Sequence, residues 1–389
     1  MNRKFVYLVA NTLSRGRSRS RSAYTVHLID PSTFFQSRSA GDGTATMDDF
    51  RLPTAAMTFC KPGPGSESED DPMTDNMDFM PLGKGSQSGI LALDGKGRVS
   101  HYDAACQSFS LMPALHAPKM QPISLPVGDS VYVMDVNPRP GNRHCFEALI
   151  HGSGPKSCYP TDWYWHSLAA PPHARAHNYV PYDSDFSEEE NDQDFNDIRM
   201  VHGPEVDVHM MAAAPVIDGH TVVGDSQIWI STIGAGTYSF DTASGVWSQA
   251  MDWSLPFRGR AEYVPELNLW FGFSSQDKCL CGFDLTATAS AMSPPLLRHQ
   301  WDGIAQQEGW APVISYIVPL GSGKLFIAEF FETKEKVYIK GGGWVYGNCD
   351  NFAVFTGVEF LEKLGGGLHM VKHRSKRYNH ERVMPDWVI

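Results

Sequence analysis

Apolar runs along the chain seldom exceed about nine residues before a cluster of Gly, Pro, Asp or Asn interrupts them, and within the runs apolar and polar positions alternate. That period of two predicts strands joined by turns and leaves little room for long helices. One pattern recurs. VSHYDAACQSFSLMP around Asp103 and GTYSFDTASGVWSQA around Asp241 each carry an aromatic before the Asp, a small polar turn, and an aromatic six positions after it. The Asp is expected to cap the turn through its side chain, and Phe109 or Trp247 to open the next strand by packing back. HLIDPSTFF, with Pro31 after Asp30, is a third copy and CGFDL, at Cys281 to Leu285, a fourth. CFEAL, followed by a lengthened turn and DWYWHSL, reads as a degenerate fifth with Glu147 in the place of the Asp.

The spacing turns these hairpins into an architecture. Asp103 to Glu147 is 44 residues and Asp241 to Asp284 is 43, close to the roughly 40 to 50 residues of one four-stranded propeller blade. The wider gaps, 73 from Asp30 to Asp103 and 94 from Glu147 to Asp241, hold insertions. SGILALDGKG, DSVYVMDVN, SQIWISTIG and LNLWFGFSS precede the turns and are expected to be inner strands buried on both faces. VISYIVPLGSGKLFIAEFF, FAVFTGVEFL and GLHMVKHRSKRY supply one more unit without the Asp. The expectation is an all-β chain, one propeller domain over 1–389, with blades at 4–55, 56–118, 119–175, 205–258, 259–304 and 305–378. Six blades is the reading and seven the alternative. Closure would bring FVYLVAN and GLHMVKHRSKRY together in neighbouring blades.

Charge refines this picture. The net charge is -12, yet residues 66–78 hold six acids and 183–197 hold eight, and without them the balance is +2. The acidity therefore belongs to two insertions, a loop at 61–78 and a segment at 176–204 expected to be disordered. Ser187, followed by three glutamates, is a candidate phosphosite. Seven cysteines without a CxxC pair point to a reducing compartment, cytoplasmic or nuclear. FVYLVA is too short to span a bilayer, so no membrane association is expected. Six Lys or Arg and no acid before Asp30 also fit a transit peptide, although the strand reading is preferred.

The residues that tempt a chemical reading mostly have a plainer one. GSGKL at Gly321 to Leu325 lacks the upstream Gly of a phosphate loop and reads as a strand-joining turn. HARAH spaces His173 and His177 for a metal only if helical, and Pro171 and Pro172 argue for a loop. Cys279 and Cys281 share one face of a strand and read as packing. Trp247, at the repeat position, reads as a wedge between blades, as Trp253 and Trp270 can be. Trp163 and Trp165 lie outside the repeat core and are candidate interaction residues. The ladder SRGRSRSRS, with Arg15, Arg17, Arg19 and Arg21, lies between two strands of the first blade. It reads as a flexible hairpin loop and a candidate contact, while four arginines fall short of the basic face that nucleic acid requires. With Lys372, Arg374, Lys376 and Arg377 the ladder would form a positive patch.

The Asp turn, the aromatic six later and NLWFGF-type strands resemble kelch-type β-propellers, the group that includes galactose oxidase. SVYVMDVNP, FEAL, WYWHSLAAPP, GTYSFDTASGVWS, AEYVPELNLWFGF, FAVFTGVEF and LHMVKHRSKRY resemble a plant family, expanded in grasses, of kelch-like proteins of unknown function. That resemblance implies a propeller and no established activity. Such propellers often follow an F-box, for which a first strand near Lys4 leaves no room. The expected role is a non-enzymatic scaffold for a protein partner, monomeric, with no catalytic residue, metal or cofactor assigned. The alternative is small-molecule or carbohydrate binding, with or without catalysis, at the central channel.

Overall fold

The computed structural model describes residues 3–13, 22–35, 47–60, 77–83, 89–138, 141–154, 161–176, 216–232, 234–286, 288, 294–302, 304, 309–339, 343–362, 367–380 and 383–389. β1 (Val6–Leu13) and β2 (Ser22–Ile29) form a hairpin, and after the two-residue β3 (Asp48–Asp49) comes β4 (Met57–Cys60). β5 (Met77–Leu82), β6 (Gly89–Asp94), β7 (Val99–Asp103) and β8 (Ser108–Met112) make the second sheet. The third holds β9 (Pro122–Val127), β10 (Ser130–Asp135), β11 (Phe146–Gly152) and β12 (Asp162–Ser167), followed by the helical turn α1 (His173–Ala176).

An eight-stranded sheet then consists of two meanders. They are β13 (Ile217–Val223), β14 (Gln227–Thr232), β15 (Gly236–Asp241), β16 (Val246–Met251), and β17 (Phe257–Val264), β18 (Leu269–Ser274), β19 (Leu280–Asp284), β20 (Leu296–Trp301). Their first strands join in a short parallel ladder, Gly219 opposite Gly259 and His220 opposite Arg260. A Cβ at Gly219 would stand 2.7 Å from the Phe257 carbonyl, so glycine permits the close approach. The last sheet has β21 (Trp310–Gly321), β22 (Lys324–Ile339), β23 (Gly343–Glu362) and β24 (Leu368–His380), with β3 on its edge; β25 (Val383–Val388) returns to pair with β1.

The Asp turns form as expected. Asp30 Oδ1 accepts from Ser32 N at 2.9 Å, Asp103 from Ala105 N at 2.8 Å, Asp241 from Ala243 N at 2.8 Å and Asp284 from Thr286 N at 3.1 Å. The fifth copy does not fit. Glu147 stands at the start of β11, and Gly152, opposite Asp162, holds the place of the Asp. Phe146-Glu147 imitates the aromatic–Asp pair, but the strand runs on before turning.

Three boundaries also move. β4 belongs to the first sheet, so the second unit does not begin at 56. The acidic stretch 61–78 ends in strand, since Met77 and Asp78 open β5. GLHMVKHRSKRY is an outer strand, and the partner of β1 is the later VMPDWV, within the same sheet rather than a neighbouring one. The four apolar runs are β6, β10, β14 and β18, each the second strand of its four-stranded meander. The first strands lie beyond them: β5 touches β9, β9 touches β13, β13 bonds to β17, and β17 touches β21.

The core is a chain of apolar seams between successive sheets. Val9, Tyr24 and Phe59 of the first sheet meet Phe79, Ile90 and Tyr102 of the second, whose Leu91 and Leu93 meet Val131, Leu149 and Trp165 of the third. Phe146 packs on Ile230 and Phe240, and Trp229 on Trp270 and Phe283. Phe271 meets Ile327 and Phe360, and Phe326 and Phe355 of the last sheet meet Val6 and Leu8 of the first. At about 25 cal/mol per Å² of apolar surface, these seams are the dominant stabilising term.

A four-stranded antiparallel meander returns the chain to the end where it began. The passages from one meander to the next therefore lie on one end, here termed the crossover end, and the Asp turns lie on the other; the excursion from β2 to β3 on the last sheet leaves by the Asp30 turn.

Candidate functional site

At the crossover end of the third sheet five polar side chains converge. Phe146 sends its ring into the seam with β14 and β15, so by strand alternation Glu147 points to the opposite face, where it is fully buried. His116 and Lys119 come from the segment between β8 and β9. His144 precedes β11, and Ser167, opposite Glu147, ends β12.

Lys119 Nζ donates to Glu147 Oε1 at 2.5 Å and to Ala117 O at 2.8 Å. Glu147 Oε2 lies 2.5 Å from His116 Nδ1 and accepts from the His116 backbone N–H at 3.2 Å. Burial alone would raise the Glu147 pKa, but the bonds from Lys119 and His116 outweigh it and hold the carboxyl below its ordinary value. The His116 and His144 rings stack at 5.2 Å and 14°. Ser167 Oγ is 2.7 Å from His144 Nδ1 and 3.4 Å from His116 Nδ1.

This arrangement does not make a nucleophilic relay. In such a relay hydroxyl and acid occupy opposite nitrogens of one imidazole, whereas Ser167 and Glu147 both address Nδ1 of His116. It also fits a divalent cation poorly. The ligand atoms of His116, His144 and Glu147 lie within 4.8 Å of one another, but stacked rings aim their lone pairs side by side, and the Lys119 ammonium already neutralises the carboxylate. What it offers is a rigid junction that presents two imidazoles at the surface.

The residues singled out from sequence fall into three groups. Trp165 is 6% exposed, donates its indole N–H to Pro113 O at 2.8 Å and joins the second sheet to the third; its assignment as an interaction residue is corrected to packing. Trp247 donates to Ala169 O at 2.7 Å and Trp270 to Val222 O at 2.8 Å, each tying its meander to the preceding one as the wedge reading expected. Trp163 is half-buried on β12, 5.0 Å from the His151 ring. Arg15, Arg17, Arg19, Arg21, Ser187 and His177 lie outside the described residues, as do most of the two acidic stretches.

His173 sits in α1, a helical turn where a loop was expected. Cys279 and Cys281 pack in one seam, and burial pushes the Cys281 thiol up to about 12. GSGKL is a two-residue hairpin turn with Ser322 and Gly323 at φ 56 and 68. The C-terminal basic run is engaged in packing: Lys376 Nζ lies 4.5 Å over Phe34, Arg377 lies 4.0 Å over Phe352, and Lys372 donates to Ile304 O.

The Glu147 junction had only a faint sequence signal, an acid inside an otherwise apolar strand.

Glu329, 2% exposed on β22, has an unpartnered Oε2, and burial pushes its pKa up to about 7 against some relief from Lys372. A raised folded pKa means that its stabilising contribution is complete below the unfolded value and lost as pH rises through about 7. Glu329→Gln is therefore expected to be more stable than wild type at pH 8, by up to about 3 kcal/mol, and to flatten the decline above pH 5. Urea titrations from pH 5 to 8 check this. Asp78, also pushed up to about 7 by burial, leaves a residual slope.

Among the described residues no helix is long and apolar enough to cross a membrane. No curated protein matches the chain significantly. Among solved structures the chain is similar to the β-propeller domain of Myceliophteria thermophila Cps50 (Swd1), at 10% identity over 73% of this chain and 93% of that one, with a TM-score of 0.27. An overlay that loose carries no argument. A family model, however, matches residues 3–378. The chain belongs to the family described as protein of unknown function, DUF1668.

Proposed function

We propose that the chain is a closed six-bladed β-propeller, kelch-like in its Asp turns, that serves as a non-enzymatic scaffold for another protein. Taking the eight-stranded sheet as two blades gives six four-stranded units. The seams that run from each unit to the next, and from the last back to the first, support a closed ring, as does the pairing of β25 with β1.

One observation carries the binding role. Beyond the Trp310–Thr333 pair on one side and the Asn351–His380 pair on the other, β22 and β23 continue, among the described residues, as a two-stranded arm, from Lys334 opposite Asn348 to Ile339 opposite Gly343. Such a ribbon is marginal by itself and offers free backbone edges for strand addition. The arm leaves from the crossover end, the end on which the stacked imidazoles also lie. The chain also departs on this end at Leu13, Cys60 and Ala176, the approaches to the Arg ladder and the two acidic stretches. In this reading the charged segments assist partner capture, Ser187 phosphorylation adjusts it, and Trp163 offers a secondary contact on the outer edge.

Affinity purification from native tissue tests the proposal. Wild type should recover a specific protein, a variant with residues 335–347 replaced by a two-residue turn should melt like wild type yet lose it, and Ser187→Ala should change the yield. Equal recovery by the arm-less variant would refute the role of the arm. Binding on a glycan array without any protein recovered would favour the second reading, a small-molecule or carbohydrate site at the centre.

A further inference from the structure

The parallel ladder between β13 and β17 folds two meanders against each other like a hinge. Its inner side is filled: Thr221 Oγ1 donates to Ala261 O at 2.8 Å, and Val223 packs on Phe257 and Ala261. By strand alternation, His220 and Arg260 project from the opposite side. Glu262, two residues beyond Arg260, pairs with it at 2.7 Å.

Arg3 reaches the same place from the start of β1, within electrostatic range of Glu262 and Arg260. One carboxylate, paired with Arg260, thus lies within the electrostatic range of two guanidinium groups. His220 is 9% exposed and its Nδ1 has no partner. A positive excess among half-buried groups, beside an unpartnered imidazole nitrogen, is an incomplete constellation.

We propose that Arg3, Arg260 and His220 form a binding site for a small oxyanion, the phosphate or carboxylate group of a ligand, at the centre of the ring. The anion supplies the missing negative charge. Arg260 and Arg3 hold it through charge-assisted hydrogen bonds, and neutral His220 donates its Nδ1 proton without adding charge. The surrounding titration agrees: burial and then Arg260 push the His220 pKa down to about 3, while burial lowers that of Arg3, opposed by Glu262 and reinforced by Arg260. Enclosure by low-dielectric walls strengthens the attraction beyond what an exposed pair of arginines would give.

The central location of the site rests on the proposed closed ring, whereas the His220–Arg260 register does not. The test is calorimetric titration of the full chain with inorganic phosphate and, separately, malonate. Wild type should bind at least one of them one to one, and whichever is tighter identifies the ligand group as phosphoryl or carboxylate. The double variant Arg260→Gln/Glu262→Gln, which removes both members of the ion pair and leaves Arg3 as the remaining cation, should weaken binding at least tenfold with little change in melting. His220→Phe should weaken it severalfold. Arg258→Gln, a control whose wild-type side chain pairs with Asp218 at 2.7 Å, should stay within twofold. No binding of either anion at tens of millimolar, or equal affinity in wild type and double variant, overturns the proposal. Small-angle scattering on the same samples reports the ring independently, so failure of the site and failure of the architecture are distinguishable.

Discussion

Deleting residues 383–389 is expected to abolish soluble, cooperatively folded protein. The segment supplies the inner partner of β1: Val388 faces Leu8, Trp387 faces Val9, and Tyr7 and Ile389 exchange two backbone hydrogen bonds of 2.9 Å. Val388 and Ile389 are buried, and the Trp387 ring lies 5.9 Å from Tyr24 and 5.1 Å from Phe79. Burying side chains of this kind is worth about 1.5 to 3 kcal/mol each, so three of them approach the 5 to 15 kcal/mol that typically separates folded from unfolded chains. The deletion also strips the edge of β1 and opens two seams to water. Trp387→Ala is the milder probe, with an expected loss of about 3 to 5 kcal/mol. Soluble yield and thermal melting of both variants decide the matter. A deletion variant that melts like wild type would mean that the C-terminal strand does not close the fold.

Legibility from sequence followed the range of the forces involved. The Asp turns could be read because they are local: a carboxylate bonding to the backbone two residues on needs nothing beyond its own hairpin. The runs that became β6, β10, β14 and β18 could be read because strands buried on both faces are apolar throughout. β13 and β17, the first strands of their meanders, were missed for the converse reason. Each packs one side into a seam and leaves the other polar, so they carry Asp218, His220, Arg258, Arg260 and Glu262 and lose the apolar signature. The partner of β1 was misplaced because GLHMVKHRSKRY is the longer periodic run, while the short VMPDWV wins through Trp387 and the backbone ladder. Glu147 was misread as a turn acid because an aromatic–acid dipeptide looks the same whether the strand stops there or continues. Its true environment depends on His116 and Lys119, about 30 residues away, which no local window contains.

That environment sets the second large effect. Lys119 and Glu147 are both buried, with side chains 1% and 0% exposed, and their 2.5 Å pair is completed by His116 and Ala117. Removing one member of such a pair leaves an unmatched charge away from water and typically costs about 3 to 5 kcal/mol, whereas replacing both by apolar groups of similar volume is often near neutral. Lys119→Met and Glu147→Leu are each expected to fall in that range, and the double variant to recover most of the loss, giving a coupling of about 2 kcal/mol or more. The pH dependence carries a sign as well. Because the folded Glu147 pKa is lowered, its contribution is present above the unfolded value and is lost as pH falls through the folded one. Wild type should therefore lose more stability between pH 5 and pH 3 than the double variant does. Urea unfolding of the four proteins at pH 7, pH 5 and pH 3 measures both quantities. If Lys119→Met costs under about 1 kcal/mol at pH 7, the ammonium is solvated in solution and the junction is not the buried pair described.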